Sequence, residues 1–173
     1  MRQSTRFILA ATLAAGLVAA FVPNTAGAFD ATGQKCRGSV YKGGAKLTKT
    51  YAKLITACHK LRDVTGSMSG TDCNDLATAD TAMSLPGVDS KFASSVAKSC
   101  STSTPSSLLY LACPAPCDSG TPTITTFADV STCLTCLARN SAETMSSNAF
   151  GLPTPALTGA ELTCHSAIQK NVA

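Results

Sequence analysis

The chain has 173 residues, with 14 Lys+Arg against 10 Asp+Glu, a net charge of +4, no Trp and nine cysteines. That length holds one domain with a core or two small helical units. So small a charge excess excludes a polycation that coats nucleic acid by bulk attraction, and with aromatics at 5% the stacking platforms of single-strand binders are missing.

Residues 1–28 read as an export leader. Arg2 and Arg6 form a positive start, Phe7 to Val22 an apolar run, and Ala26-Gly27-Ala28 a small-residue cleavage site. A membrane anchor is the rival reading for a run of this length, but no charged stop-transfer cluster follows, and no cysteine at the cleavage point supports lipid attachment. Removing Arg2 and Arg6 with the leader leaves 12 of the 14 basic residues facing 10 acids. Ser, Thr and Ala dominate what remains, so large apolar side chains are few and the fold needs other constraints.

The first long element runs from Cys36 to Leu61. Apolar or cysteine positions 36, 40, 47, 51, 54, 58 and 61 recur at three- and four-residue intervals, which lines one face of an α-helix. Between them sit Arg37, Lys42, Lys46, Lys49, Lys53 and Lys60, and no acid falls between Lys35 and Arg62. These six are the candidate face for an anionic partner such as an envelope polymer or lipid headgroups, although a lysine run on an amphipathic helix is ordinarily its solvated face. Gly43-Gly44 predicts a kink or a frayed first turn.

Beyond it, Asp63 to Asp72 is a Gly/Ser/Thr turn. Asp63, Asp72, Asn74 and Asp75 do not have the spacing of an EF-hand, so capped, solvated turns are the better reading. Asn74 to Met83 predicts a short helix broken by Leu85-Pro86-Gly87, and Asp89 a cap for a further helix ending at Cys100. The two long helices then form an antiparallel hairpin that brings Cys36 near Cys100 and Cys58 near Cys73. After a Ser101–Pro105 linker, Leu108 to Ala112 leads into Cys113-Pro-Ala-Pro-Cys117, where the prolines oppose helix. A helix follows from about Phe127 to Ser147, then a Gly/Pro break at 150–155, and Thr158-Gly-Ala-Glu161 reads as the capping box of a last helix.

All nine cysteines, at 36, 58, 73, 100, 113, 117, 133, 136 and 164, lie in the exported part. Export makes disulfides the default for them, and the odd number leaves one thiol free or paired between chains as a disulfide-linked dimer. Cys113, Cys117, Cys133 and Cys136 have the spacing of a four-thiolate zinc site. In an exported chain, two bridges from the CPAPC loop to one helix face fit better, so no metal is expected. Cys133-Leu-Thr-Cys136 lacks the βαβ setting of a redox pair, and neither Cys58-His59 nor Cys164-His165 has the first cysteine of a haem-attachment motif.

Cys164-His-Ser-Ala-Ile168-Gln-Lys170 repeats Cys36-Arg-Gly-Ser-Val40-Tyr-Lys42 at the cysteine, the β-branched residue and the lysine, as if a second copy opened there. With Cys133-Leu-Thr-Cys136-Leu137, this C-x-x-x-[IV]-x-K pattern resembles a class of exported bacterial cysteine-rich helical proteins. The resemblance implies a helical disulfide-bonded module and carries over no catalytic residue. Among the residues themselves, no G-x-S-x-G is present, His59 and His165 read as polar helix-surface residues, and Glu143 and Glu161 sit in ordinary surface settings.

The sequence therefore predicts an all-α, disulfide-stabilised helical hairpin or small bundle with a loop-rich second half. Residues 29–104 form the stapled hairpin and 105–173 a second cysteine-rich helical segment packed on it as one domain. The expected role is structural or binding work, without catalysis or cofactor, in the periplasm or extracellular space. The alternative is a small lipid or hydrophobic-ligand carrier.

Overall fold

The computed structural model describes residues 29–68, 70–151, 157 and 159–172. The leader at 1–28, the prolines at 153 and 155, and Thr158 of the expected capping box lie outside the described residues. Every regular element among the described residues is helical, so the fold is all-α.

The first helix, α1 (Ala31–Lys60), starts five residues before the first cysteine. Asp30 sets its start, the Oδ1 accepting from the Gly33 amide at 2.6 Å, which satisfies one of the amides that a helix N-terminus leaves open. The helix is unbroken at Gly43-Gly44. A Cβ on Gly43 would stand 2.7 Å from Cε2 of Phe92, so this glycine serves close packing rather than a kink. A π-helical turn, Leu61–Thr65, extends α1 until Gly66 stops it at φ +68°, a conformation glycine adopts freely.

Next comes α2 (Leu76–Ala79), shorter than the 74–83 expected. Asp75 caps its N-terminus, accepting from the Ala77 amide at 2.9 Å, and Glu143 accepts from its Leu76 amide at 3.0 Å. Asp80 ends it, because its carboxylate turns to the next helix, accepting from Ser84 Oγ at 2.7 Å and the Leu85 amide at 2.8 Å. Consequently α3 (Leu85–Ser99) begins at Leu85 rather than at an Asp89 cap. Pro86 is no breaker there, since the first turn needs no N–H from it. Asp89 instead accepts a hydrogen bond from the Tyr51 hydroxyl of α1.

After a 3-10 turn at Ser106–Leu108 and the CPAPC loop, α4 (Phe127–Phe150) carries three residues past the expected end. Its start is the reciprocal box of Thr126 and Asp129. Three hydrogen bonds, from the Thr125 and Thr126 amides and the Thr125 hydroxyl, hold Asp129 down to about 2. The last helix is α5 (Gly159–Val172).

Helix α1 is the centre of the bundle, packing on α2, α3, α4 and α5. One buried cluster joins Val40, Leu47 and Ile55 of α1 with Leu76, Val96, Leu108, Val130 and Ala142, so residues from both cysteine-rich segments share it. Cys36 is bonded to Cys100 and Cys58 to Cys73, the pairs an antiparallel hairpin brings together; Cys113 is bonded to Cys133 and Cys117 to Cys136. The bridges span 64, 15, 20 and 19 residues. By loop entropy each is worth about 3 to 4 kcal/mol, a large share of the roughly 5 to 15 kcal/mol that separates folded from unfolded domains. Four such bonds place the fold in an oxidising environment. Cys164 is free and exposed. Its partner in the short repeat, Cys36, is buried in a bridge, so the likeness at three positions does not extend to environment.

Candidate functional site

Helix α1 carries its charge on the side away from the core. At about 100° of turn per residue, Lys35, Lys42, Lys46, Lys49, Lys53 and Lys60 fall within about 60° of one another, roughly opposite the buried stripe of Cys36, Val40, Leu47, Tyr51 and Cys58. All six are exposed. Among the described residues none has a carboxylate within 4.0 Å. At about 1.5 Å of rise per residue the row is about 37 Å long. Adjacent lysines at i,i+4 and i,i+3 repel by about 0.2 to 0.5 kcal/mol a pair, so the row is held against a small internal cost.

Arg37, grouped with these lysines by sequence, is not part of the row. It projects from the other side of α1, its Nη1 donating to the Leu108 carbonyl at 3.1 Å and its guanidinium lying 4.5 Å over the Phe29 ring. It joins Phe29, just ahead of α1, to the 3-10 turn. Lys35 takes its place in the row, and the same 100° arithmetic applied to the sequence selects it.

A second gathering of ionisable groups is internal and corrects the surface reading of the histidines. His59 is fully buried. Its ring stacks on Phe150 at 4.0 Å between centroids. Arg62 Nη2 lies 2.9 Å from His59 Nδ1; a guanidinium only donates, so Nδ1 carries no proton. The proton is on Nε2, which faces Asn74 Oδ1 at 3.0 Å and Ser146 Oγ at 3.2 Å. Burial, working against the Asn74 hydrogen bond and with the Arg62 charge, lowers His59 to about 4. The π-turn is what puts Arg62 and Asp63 inside. Arg62 Nε donates to Asp63 Oδ1 at 2.9 Å, and both side chains are 0% exposed. Asp63 Oδ2 meets His165 Nδ1 of α5 at 3.2 Å. Arg62 Nη1 has no hydrogen-bond partner among the described residues.

Asp63 is thus a buried ion-pair member rather than part of a solvated turn, whereas Asp72 and Asp75 do cap local amides. The cluster contains serine, histidine and aspartate, but not in relay order. Ser146 gives its proton to Asn74 at 2.7 Å, and the far side of His59 faces a cation where a triad needs a carboxylate. Its chemistry is positional: it ties α1, α4 and α5 and the Asn74 loop together. Glu143, taken for a surface residue, caps α2. The four cysteines with zinc-like spacing have their sulfurs in two bridges, and no group of three or more His, Cys, Asp or Glu among the described residues is arranged to hold a metal ion. Among the described residues, no helix is long and apolar enough to cross a membrane.

No family model, curated protein or solved structure matches the chain.

Proposed function

We propose that the chain is an exported, non-catalytic binding module whose working surface is the lysine row of α1, and that its partner is a linear anionic polymer of the envelope or extracellular space. The observation that carries the reading is the row itself: six exposed lysines on one line, unpaired among the described residues, on a helix held by bridges at Cys36 and Cys58. A narrow row suits a linear polyanion better than a membrane. The apolar face of α1 is occupied by the core, so it is not available for insertion between lipids.

The test is binding of the mature protein to a polyuronate or sulfated polysaccharide, measured against ionic strength, beside vesicles rich in anionic lipid. Polymer binding that weakens as salt rises, and that drops when Lys42, Lys46, Lys49 and Lys53 are changed together to Gln, supports the proposal. Binding to vesicles alone moves the partner to lipid headgroups, and binding to neither rejects the surface. N-terminal sequencing of the exported chain should return Phe29 if 1–28 is a cleaved leader, and a non-reducing gel reads whether Cys164 joins two chains.

A further inference from the structure

We infer that the groove between α1 and α3 is a binding site for a small single-chain amphiphilic anion, a carboxylate or phosphate head on an apolar body of about eight carbons. The groove shares Lys46 with the lysine row but rests on different residues otherwise, so it stands whether or not the row binds a polymer.

The groove has a volume of about 330 Å³. Each helix gives it four residues at i, i+3, i+4 and i+7, the spacing of one helix face. From α1 these are Gly43, Lys46, Leu47 and Thr50. From α3 the order of chemistry repeats: Val88, Lys91, Phe92 and Ser95. The helices are antiparallel, as the Cys36–Cys100 bridge and the Ser39–Ser99 hydrogen bond at 2.9 Å require. Each wall therefore supplies an apolar floor residue, one ammonium and one hydroxyl. Leu47 and Phe92 are buried, while Lys46, Lys91 and Ser95 are exposed at the rim.

Charge and size together select the ligand. Lys46 and Lys91 have no carboxylate within 4.0 Å among the described residues, so the rim is net positive and fits one anionic head. The floor offers no charge and excludes a fully polar guest. At a water-sized share of about 30 Å³ per heavy atom, the groove holds about eleven heavy atoms, close to the size of a single medium chain such as octanoate. Gly43 lets the Phe92 ring pack directly against α1 at the base of the groove, since a Cβ there would stand 2.7 Å from the ring.

The probe is sodium octanoate, kept below its micelle concentration and titrated into the full mature protein while backbone amide shifts are followed by NMR. Shifts confined to residues 43–50 and 88–95 are expected. Each buried methylene is worth about fourfold in affinity, so hexanoate, two methylenes shorter, should bind about fifteenfold more weakly, with little further gain from octanoate to decanoate. Octanol, lacking the charge, should bind at least about threefold more weakly than octanoate, and Lys91→Gln should weaken octanoate about two- to fivefold. Val88→Trp, checked for folding by circular dichroism, should abolish the shifts by filling the groove.

Octanoate shifts scattered over the surface, equal binding of octanol, or octanoate binding untouched by both Lys91→Gln and Val88→Trp overturns the inference. The polymer reading is scored separately, because Lys91 lies on α3 and its replacement leaves the row on α1 whole.

Discussion

Mild acid should destabilise this protein through His59, and the structure gives both the sign and the window. In the fold the imidazole is held down to about 4, whereas in the unfolded chain it takes its ordinary value near 6.5. Between these pH values the unfolded chain binds a proton that the folded chain refuses, so stability falls as pH drops from about 6.5 to about 4, and this residue adds no further loss below that. The span corresponds to on the order of 3 kcal/mol. Burial is the main cause, since a charged ring would lose its hydration, and the Arg62 charge adds to it: a second proton would sit on Nδ1, against the Arg62 Nη2 that now donates to it at 2.9 Å. The assay is urea unfolding at pH 7, 6, 5 and 4 for the wild type and His59→Gln. The variant should be less stable at pH 7 but lose about 3 kcal/mol less on going to pH 4. Carboxylates held low by caps, such as Asp129 at about 2, contribute in a separate window, below their ordinary value near 3.8, and are common to both proteins. Parallel profiles for the two proteins would refute the assignment of His59 as a buried neutral ring.

Three further outcomes follow from the packing. Removing the 64-residue bridge with Cys36→Ala and Cys100→Ala should cost about 4 kcal/mol, against about 3 kcal/mol for the 15-residue bridge of Cys58 and Cys73; denaturant midpoints in the reverse order would contradict the loop-entropy account. Gly44→Ala meets no atom within 4 Å and should stabilise α1 by about 0.5 to 1 kcal/mol, whereas Gly43→Ala drives a methyl into Phe92 and should destabilise by about 1 to 3 kcal/mol, as thermal melts of the pair will show. Lys49→Glu turns two repulsive pairs, with Lys46 and Lys53, into attractive ones and should raise stability by about 1 kcal/mol while lowering polyanion binding.

What the sequence revealed and what it concealed divide along physical lines. Helical periodicity and an even spread of cysteines sufficed for the all-α class and the antiparallel pairing of α1 and α3, because both depend on local spacing. Helix starts were harder. In one dimension Asp80 reads as helix interior and Pro86 as a breaker, yet in three the aspartate ends α2 and caps α3, and the proline occupies the first turn of α3. The polar core was hidden altogether. His59-Lys60-Leu61-Arg62-Asp63 reads as a charged helix exit, and the π-turn at Leu61–Thr65 is what rotates Arg62 and Asp63 inward. Leu61 and Val64, apolar by type, are left 44% and 55% exposed by the same rotation. Nothing local signals that inversion; its partners Asn74, Ser146 and His165 are 15, 87 and 106 residues from His59 by numbering.

The lysine row and the bridges bear on one another. Six lysines on a free helix of this composition would repel and fray it, and binding would then have to order the helix as well as attract the partner, at about 1 to 2 kcal/mol per residue ordered. Here Cys36 fixes one end of α1 to α3 and Cys58 the other to the loop before α2, and Lys42, Lys46, Lys49 and Lys53 lie between those two points. The charges are presented on a rod whose conformation is already set, which keeps the ordering cost out of the binding step. Reduction of the bridges should therefore weaken polyanion binding even under conditions where the reduced chain still shows helix by circular dichroism. If affinity survives reduction unchanged while the melting transition collapses, the row acts as a loose polycation and the rigidity of α1 has no part in recognition.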